Sequence, residues 1–130
     1  MTFEFEVAGL PPAKSEALSM LGTGHPHRER VYRLLATAQE AARLAGFRGF
    51  GGRLIGMEVT LRSLGPPPSD ATNYLGGVAD VLEAKGHRGR LDHLGPLAAV
   101  ALYDNDRQIR EVHFRHEPGA EGYVVRLWAL

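Results

Sequence analysis

The sequence predicts a single α/β domain of the α+β type, in which a mixed β-sheet packs against two main helices. Segments with a period of two alternate with segments of helical period in the order β-α-β-α-β-β-β, which is typical of such a sheet. The length of 130 residues suits one domain that buries about two thirds of its unfolded surface. The hydrophobic fraction of 44% is that of an ordinary globular protein. We therefore treat residues 1–130 as one domain.

The composition argues against several classes of protein. The chain has no cysteine, so it has no disulfide framework and no thiolate metal site. No apolar run approaches the roughly 20 residues of a membrane span. The first residues, "MTFEFEVAGLPP", are acidic and alternating, which is unlike a signal or transit peptide. We therefore expect a cytoplasmic protein.

The charge distribution is uneven although the net charge is zero. A neutral chain gives no general support to nucleic-acid binding. From Lys14 to Arg62, however, there are eight basic residues against four acidic ones. This asymmetry predicts either a positive face or an ordinary solvated surface of mixed charge.

The first half of the chain contains a predicted strand and a predicted helix. Phe3, Phe5 and Val7 alternate with glutamates, which indicates a half-buried strand. Residues 9–27 are rich in glycine and proline and predict a loop with a short helical turn. A helix is predicted from about residue 28 to Gly46, because apolar residues recur there at helical spacing: Val31, Leu34, Leu35, Ala38, Ala42 and Ala45.

The second half continues with a strand over residues 53–63, which the proline run at 66–68 ends. A second helix follows Asp70, and residues 83–96 form a predicted basic, glycine-rich surface loop. Three more strands are predicted from residue 97 onward. The first is apolar and ends at "DND", the second passes through His113 and Arg115, and the third is "YVVRLWAL".

Two carboxylate positions lie at the ends of predicted elements. Asp70 precedes the second helix, and Asp104 and Asp106 stand where an apolar strand turns into the next. Mg²⁺ prefers oxygen ligands, and carboxylates from distant stretches hold such ions in phosphodiester-cleaving sites. Asp is equally a preferred helix N-cap and a common turn residue. Spacing alone leaves both interpretations open.

The order of the motifs resembles the RusA-type Holliday junction resolvase family. "GLPPAK" is followed by Asp70-x-x-Asn73 at the start of a helix that contains "VADVLE", and then by "LYDNDRQIREV". The family pattern Asp-x-Asp-Asn-Leu-x-Lys falls on residues 70–76, and its downstream helical aspartate falls on Asp80. The Asp-Asp-x-Gln-Val/Ile segment falls on residues 105–109.

The resemblance implies a RusA-like fold and a homodimeric, Mg²⁺-dependent endonuclease that cuts four-way DNA junctions. Asp70 and Asp106 would be the catalytic and metal-binding residues, and Asn73 and Thr72 would shape the site. Asp104 would be a further metal ligand, because two residues apart in a strand it would share a face with Asp106.

Three positions depart from the family pattern. Thr72 replaces the second aspartate, Gly76 replaces the lysine, and Asn105 replaces the first acid of the Asp-Asp pair. Two interpretations of the 85–96 loop stay open: compensating, DNA-binding positive charge at Lys85, Arg88 and Arg90, or a solvated surface insertion. Glu58 is a candidate replacement acid.

Three functions therefore remain open at the level of sequence. The first is a Mg²⁺-dependent endonuclease acting on branched DNA. The second is a catalytically degenerate RusA-like protein that binds DNA or another partner. The third is an unrelated interaction protein in which Asp70 is only a cap.

Overall fold

The computed structural model describes residues 1–14, 21–86 and 91–130. In chain order these form β1 (Thr2–Ala8), α1 (Arg28–Ala45), β2 (Ile55–Ser63), α2 (Ala71–Leu82), β3 (Ile109–Pro118) and β4 (Gly122–Ala129), with 3₁₀ segments at Asp92–Ala99 and Asp106–Gln108. The α+β class and the mixed sheet predicted from the sequence are confirmed. Within the described ranges, no helix is both long and apolar enough to cross a membrane.

The strand order in the sheet is β1-β4-β2-β3. β4 is antiparallel to β1 and β2, whereas β2 and β3 are parallel. β2 is central, and its core-facing residues Ile55, Met57, Val59 and Leu61 are almost completely buried. β1 and β3 are the two edges of the sheet.

Both helices lie on one face of the sheet. The predicted alternation in β1 is confirmed, since Phe3, Phe5 and Val7 are buried and the residues between them are exposed. α1 buries the apolar stripe of its middle turns, and Gly46 ends it in a left-handed conformation with φ 63°. The opposite face of the sheet carries most of the charged residues of the four strands.

The predicted strand over residues 97–103 is wrong. Gly95, with φ 55° and ψ −134°, and Pro96 interrupt the backbone, and the residues around them form the 3₁₀ segment. The N–H of Leu102 donates to the Leu82 carbonyl, and Tyr103 makes only an isolated bridge with Glu83. Backbone groups of the apolar run therefore hydrogen-bond to the end of α2 and not to the sheet. The described residues contain four strands, whereas five were predicted.

Candidate functional site

Asp70 is the N-cap of α2. Its Oδ1 accepts hydrogen bonds from the Asn73 N–H at 2.8 Å and from the Thr72 hydroxyl at 2.9 Å. Its Oδ2 accepts from the Asn73 side-chain amide at 3.1 Å. The Asn73 N–H, followed by the Thr72 hydroxyl, lowers the pKa of Asp70. The side chain is exposed and ionised at neutral pH, and it stabilises the first turn of the helix.

Thr72 hydrogen-bonds to the Asp70 carboxylate and does not supply a second carboxylate next to it. At this position the RusA-type pattern has a second carboxylate. Here a hydroxyl stands one half-turn into the helix and donates to the remaining carboxylate. The start of α2 therefore presents one negative charge, and three donors already occupy its two oxygens.

The segment that precedes α1 packs directly on α2. The N–H of Lys14 donates to the Asn73 carbonyl at 3.1 Å. A Cβ at Gly77 would lie 2.1 Å from the Pro12 carbonyl oxygen, so only glycine permits this approach. This close approach of the Pro12 backbone to α2 explains why one residue of the glycine pair, Gly77, is a glycine.

Lys14 passes over Gly76. A Cβ at Gly76 would lie 3.3 Å from Lys14 Cδ, and the Lys14 side chain is exposed. Gly76 is the position at which the RusA-type pattern has its lysine. The stem of the Lys14 side chain thus crosses this part of α2 from a different segment. Sequence reasoning missed it, although the "PPAK" stretch and the paired glycines were both visible.

A buried glutamine positions the turn that carries Asp106. Gln108 Oε1 accepts from the N–H groups of Asp104 and Asn105, and its Nε2 donates to the carbonyls of Gly51 and Arg53. All four bonds are between 2.6 and 2.9 Å. The glutamine of the motif is therefore a structural residue that joins two loops.

Asp106 lies beside the middle and the end of α2. Its N–H donates to Glu83 Oε2 at 3.0 Å, immediately after the last residue of the helix. Its side chain is exposed and lines a groove of about 220 Å³ between α2 and β3, together with Met57, Leu75, Gly76, Ala79, Ile109 and Val112. We call this the α2–β3 groove. Lys14 and Asp106 both approach Gly76 in this region.

Asp70 and Asp106 are positioned by different parts of α2. The helix has 12 residues and is about 18 Å long. Asp70 caps its first turn, whereas Asp106 lies along its later turns. Among the described residues, no group of three or more His, Asp or Glu side chains is arranged to hold a metal ion. Asp70 and Asp106 thus belong to different turns of α2, and a shared metal site at these two residues stays a prediction.

Asp104 does not share a strand face with Asp106, so that part of the expectation is wrong. Residues 106–108 form a 3₁₀ turn with Asn105 as its N-cap, and strand alternation does not apply. Asp104 Oδ2 would lie 3.6 Å from a Cβ at Gly52, in the loop before β2.

The residues expected to bind DNA have different outcomes. Lys85 is buried, with 7% of its surface exposed, and its Nζ donates to the carbonyls of Glu83 and Val100. It therefore does not present its charge on the surface. Arg88 and Arg90 lie outside the described residues. Glu58 is on the open face of the sheet, 3.7 Å from Arg115, and so is not part of the α2–β3 groove.

Further acids lie near Tyr103 at the end of α2. Burial, followed by the charges of Glu83, Asp106 and Asp80, raises the pKa of Tyr103. The Tyr103 hydroxyl donates to the Ala79 carbonyl. These three acids therefore share the end of α2, and the "VADVLE" stretch was the available signal.

No protein-family model matches the sequence, and no curated protein is significantly similar to it. The resemblance to RusA-type resolvases consequently stays a prediction from the sequence motifs.

Proposed function

We propose that this chain is a homodimeric, cytoplasmic RusA-like protein that binds branched DNA along the α2–β3 groove without cutting it efficiently. The observation that carries the proposal is the 2.9 Å hydrogen bond from Thr72 to Asp70. Where cleavage in the resembled family needs a second carboxylate, this chain has a donor that engages the first. Loss of one negative charge weakens cation binding and makes the start of α2 less repulsive to phosphate.

The distribution of charge supports contact with DNA on the helix side of the molecule. The open face of the sheet carries five glutamates and three arginines: Glu4, Glu6, Glu58, Glu111, Glu117, Arg62, Arg115 and Arg126. This face would repel a phosphate backbone. Lys14, Arg107 and Arg110 are exposed near the groove and are the groups that we expect to contact phosphates.

A second candidate is the Mg²⁺-dependent endonuclease. It is favoured by Lys14 over Gly76, since this side chain restores a positive charge where the family has its lysine. It is also favoured by the exposed Asp106 carboxylate in the same groove. In this candidate Asp70 and Asp106 would be the metal ligands, with magnesium as the cofactor.

A synthetic four-way junction separates the two candidates. Binding is measured by mobility shift in EDTA at low salt, and cleavage is measured on the same labelled junction with Mg²⁺. We expect binding that is tighter than to linear duplex, and no cleavage by the natural chain. Thr72→Asp should gain Mg²⁺-dependent cleavage, because it restores the carboxylate of the pattern.

Lys14→Ala tests the groove itself. If Lys14 contacts one phosphate, its removal should reduce the slope of log K against log salt by about 0.9. Arg43→Ala is the matched control, because Arg43 lies on the last turn of α1 and is paired with Glu40. Equal effects of the two substitutions would contradict binding at the α2–β3 groove. Cleavage by the natural chain that Asp70→Asn and Asp106→Asn abolish would favour the nuclease.

A further inference from the structure

β3 is a long edge strand without a neighbour on its outer side in the described part of the chain. It has ten residues and pairs only with β2. Residues 110–113 and 115–118 are exposed, and Val112 keeps 51% of its surface in contact with solvent. Exposed edges of this length are usually protected or used for pairing, because their unpaired N–H and C=O groups form a template for another strand.

The side chains of β3 alternate in a way that suits pairing with itself. Glu111, His113 and Arg115 are on the open face of the sheet, as the register with β2 requires. Val112 and Phe114 are on the helix side, where the Phe114 ring stacks on Tyr74 with centroids 6.0 Å apart. Each face of the strand therefore has its own chemistry.

One antiparallel register is complementary on both faces. With a two-fold axis at His113, Glu111 of each copy lies opposite Arg115 of the other, and Val112 lies opposite Phe114. Opposite charges and apolar pairs in directly opposed positions stabilise a sheet. Arg115 is 62% exposed and lies 3.7 Å from Glu58, a weak surface contact that a second carboxylate can join.

The neighbouring registers are less complementary. Moving the axis to Val112 would place Glu111 opposite His113, but it would leave Arg115 opposite Ile109 and Arg110 opposite Phe114. Moving the axis to Phe114 would place Glu111 opposite Glu117 and His113 opposite Arg115. A shift by a single residue in one strand would turn its charged side chains to the other face. β1 is the other edge of the sheet. It is unsuited to antiparallel pairing with a second copy of itself, because every central register would place two glutamates, Glu4 or Glu6, directly opposite each other.

We propose that two copies of this chain associate through β3, antiparallel and with His113 at the two-fold axis. The two four-stranded sheets then form one sheet of eight strands. The partner is a second copy of the chain, identified by the charge complementarity of Glu111 and Arg115. The proposal names the surface that forms a dimer, and it does not depend on DNA binding.

A single cysteine tests the register directly, since the natural chain contains none. In His113→Cys the two cysteines face each other across the axis, with Cβ atoms about 4.5–5.5 Å apart, close enough for a disulfide after small adjustments. Mild oxidation should therefore give a covalent dimer on a non-reducing gel. Thr37→Cys on α1 is the control, and it should give no covalent dimer on the same gel.

Exchange of the two charges tests the same register without a covalent bond. In sedimentation equilibrium, Glu111→Arg and Arg115→Glu should each weaken the dimer at least tenfold, and the double variant should restore it. Circular dichroism checks that each variant is folded.

Three results would overturn the proposal. The first is a natural chain that stays monomeric throughout the concentration range. The second is a His113→Cys variant that crosslinks no faster than Thr37→Cys. That result would also be obtained if the two copies associated through β1 instead of β3. The third is a double charge variant that is as weak as the single ones.

Discussion

The two adjacent glycines of α2 should respond in opposite directions to the same substitution. Alanine gains about 1 kcal/mol over glycine inside a helix, and this gain applies equally to Gly76 and Gly77. In Gly76→Ala the new Cβ meets only the Lys14 side chain, at 3.3 Å, and that flexible chain can move. We therefore expect Gly76→Ala to stabilise the protein by about 0.5–1 kcal/mol.

Gly77→Ala meets backbone instead. Its Cβ would lie 2.1 Å from the Pro12 carbonyl oxygen and 2.7 Å from the Pro12 carbonyl carbon. Relief of this overlap requires the segment before α1 to move off the helix, and overpacking of this kind costs about 1–3 kcal/mol. After the helical gain is subtracted, we expect a net loss of up to about 2 kcal/mol.

The assay is thermal and urea unfolding of the natural chain and the two variants. The variants should differ by about 1–3 kcal/mol, the cost of the overlap, with Gly77→Ala the less stable. At this chain length that difference corresponds to roughly 4–11 °C in Tm. A Gly77→Ala variant as stable as Gly76→Ala would refute the packing of residues 10–14 on α2, and with it the position of Lys14.

Three further predictions follow from single side chains. The pKa of Asp70 is lowered in the folded state, so its contribution to stability is present above its ordinary pKa and is lost as the pH falls through the folded pKa. Asp70→Asn keeps a capping oxygen but does not titrate, and its Tm should therefore fall less between pH 6 and pH 3. Gln108→Leu should cost about 2 kcal/mol in urea unfolding, because four partly buried backbone groups lose their hydrogen bonds to the buried Gln108 side chain. Gly56→Ala should displace the single tryptophan, Trp128, whose ring a Cβ would approach to 2.2 Å, and should shift its fluorescence.

Each of these predictions has a result that contradicts it. Equal pH dependence of the natural chain and Asp70→Asn would exclude a contribution of this carboxylate to acid stability. Gln39→Leu, an exposed position on α1, is the control for Gln108→Leu, and similar stabilities would contradict the joining role of Gln108. An unchanged emission spectrum in Gly56→Ala would place Trp128 elsewhere than over β2.

The regular elements were predictable because local patterns determine them. The alternation of Phe3, Phe5 and Val7 and the apolar stripe of α1 depend on residues a few positions apart. The strand predicted over 97–103 failed because an apolar run alone does not distinguish a sheet partner from the end of α2. The hydrogen bond from Leu102 to Leu82 depends on tertiary packing, and the periodicity of the local sequence does not predict it.

The site was predictable only in part, for a similar physical reason. Asp70 has both the cap and the motif in its own sequence neighbourhood, and the cap is confirmed. Lys14 reaches α2 across more than 60 residues of chain, through a contact that only Gly77 permits. Lys85 was predicted to lie on the surface from its basic neighbours, but its stem and ammonium group fill a space between Glu83 and Val100. Contacts of this kind depend on the assembled fold.

The central claim is that the α2–β3 groove binds branched DNA without efficient cleavage. The most direct measurement follows one labelled four-way junction with the natural chain, first as a mobility shift in EDTA and then as a denaturing gel after incubation with Mg²⁺. The account predicts a shifted complex that Lys14→Ala weakens, and an intact junction on the denaturing gel. Absence of a complex at low salt, or symmetric cleavage that requires Asp70 and Asp106, would contradict it.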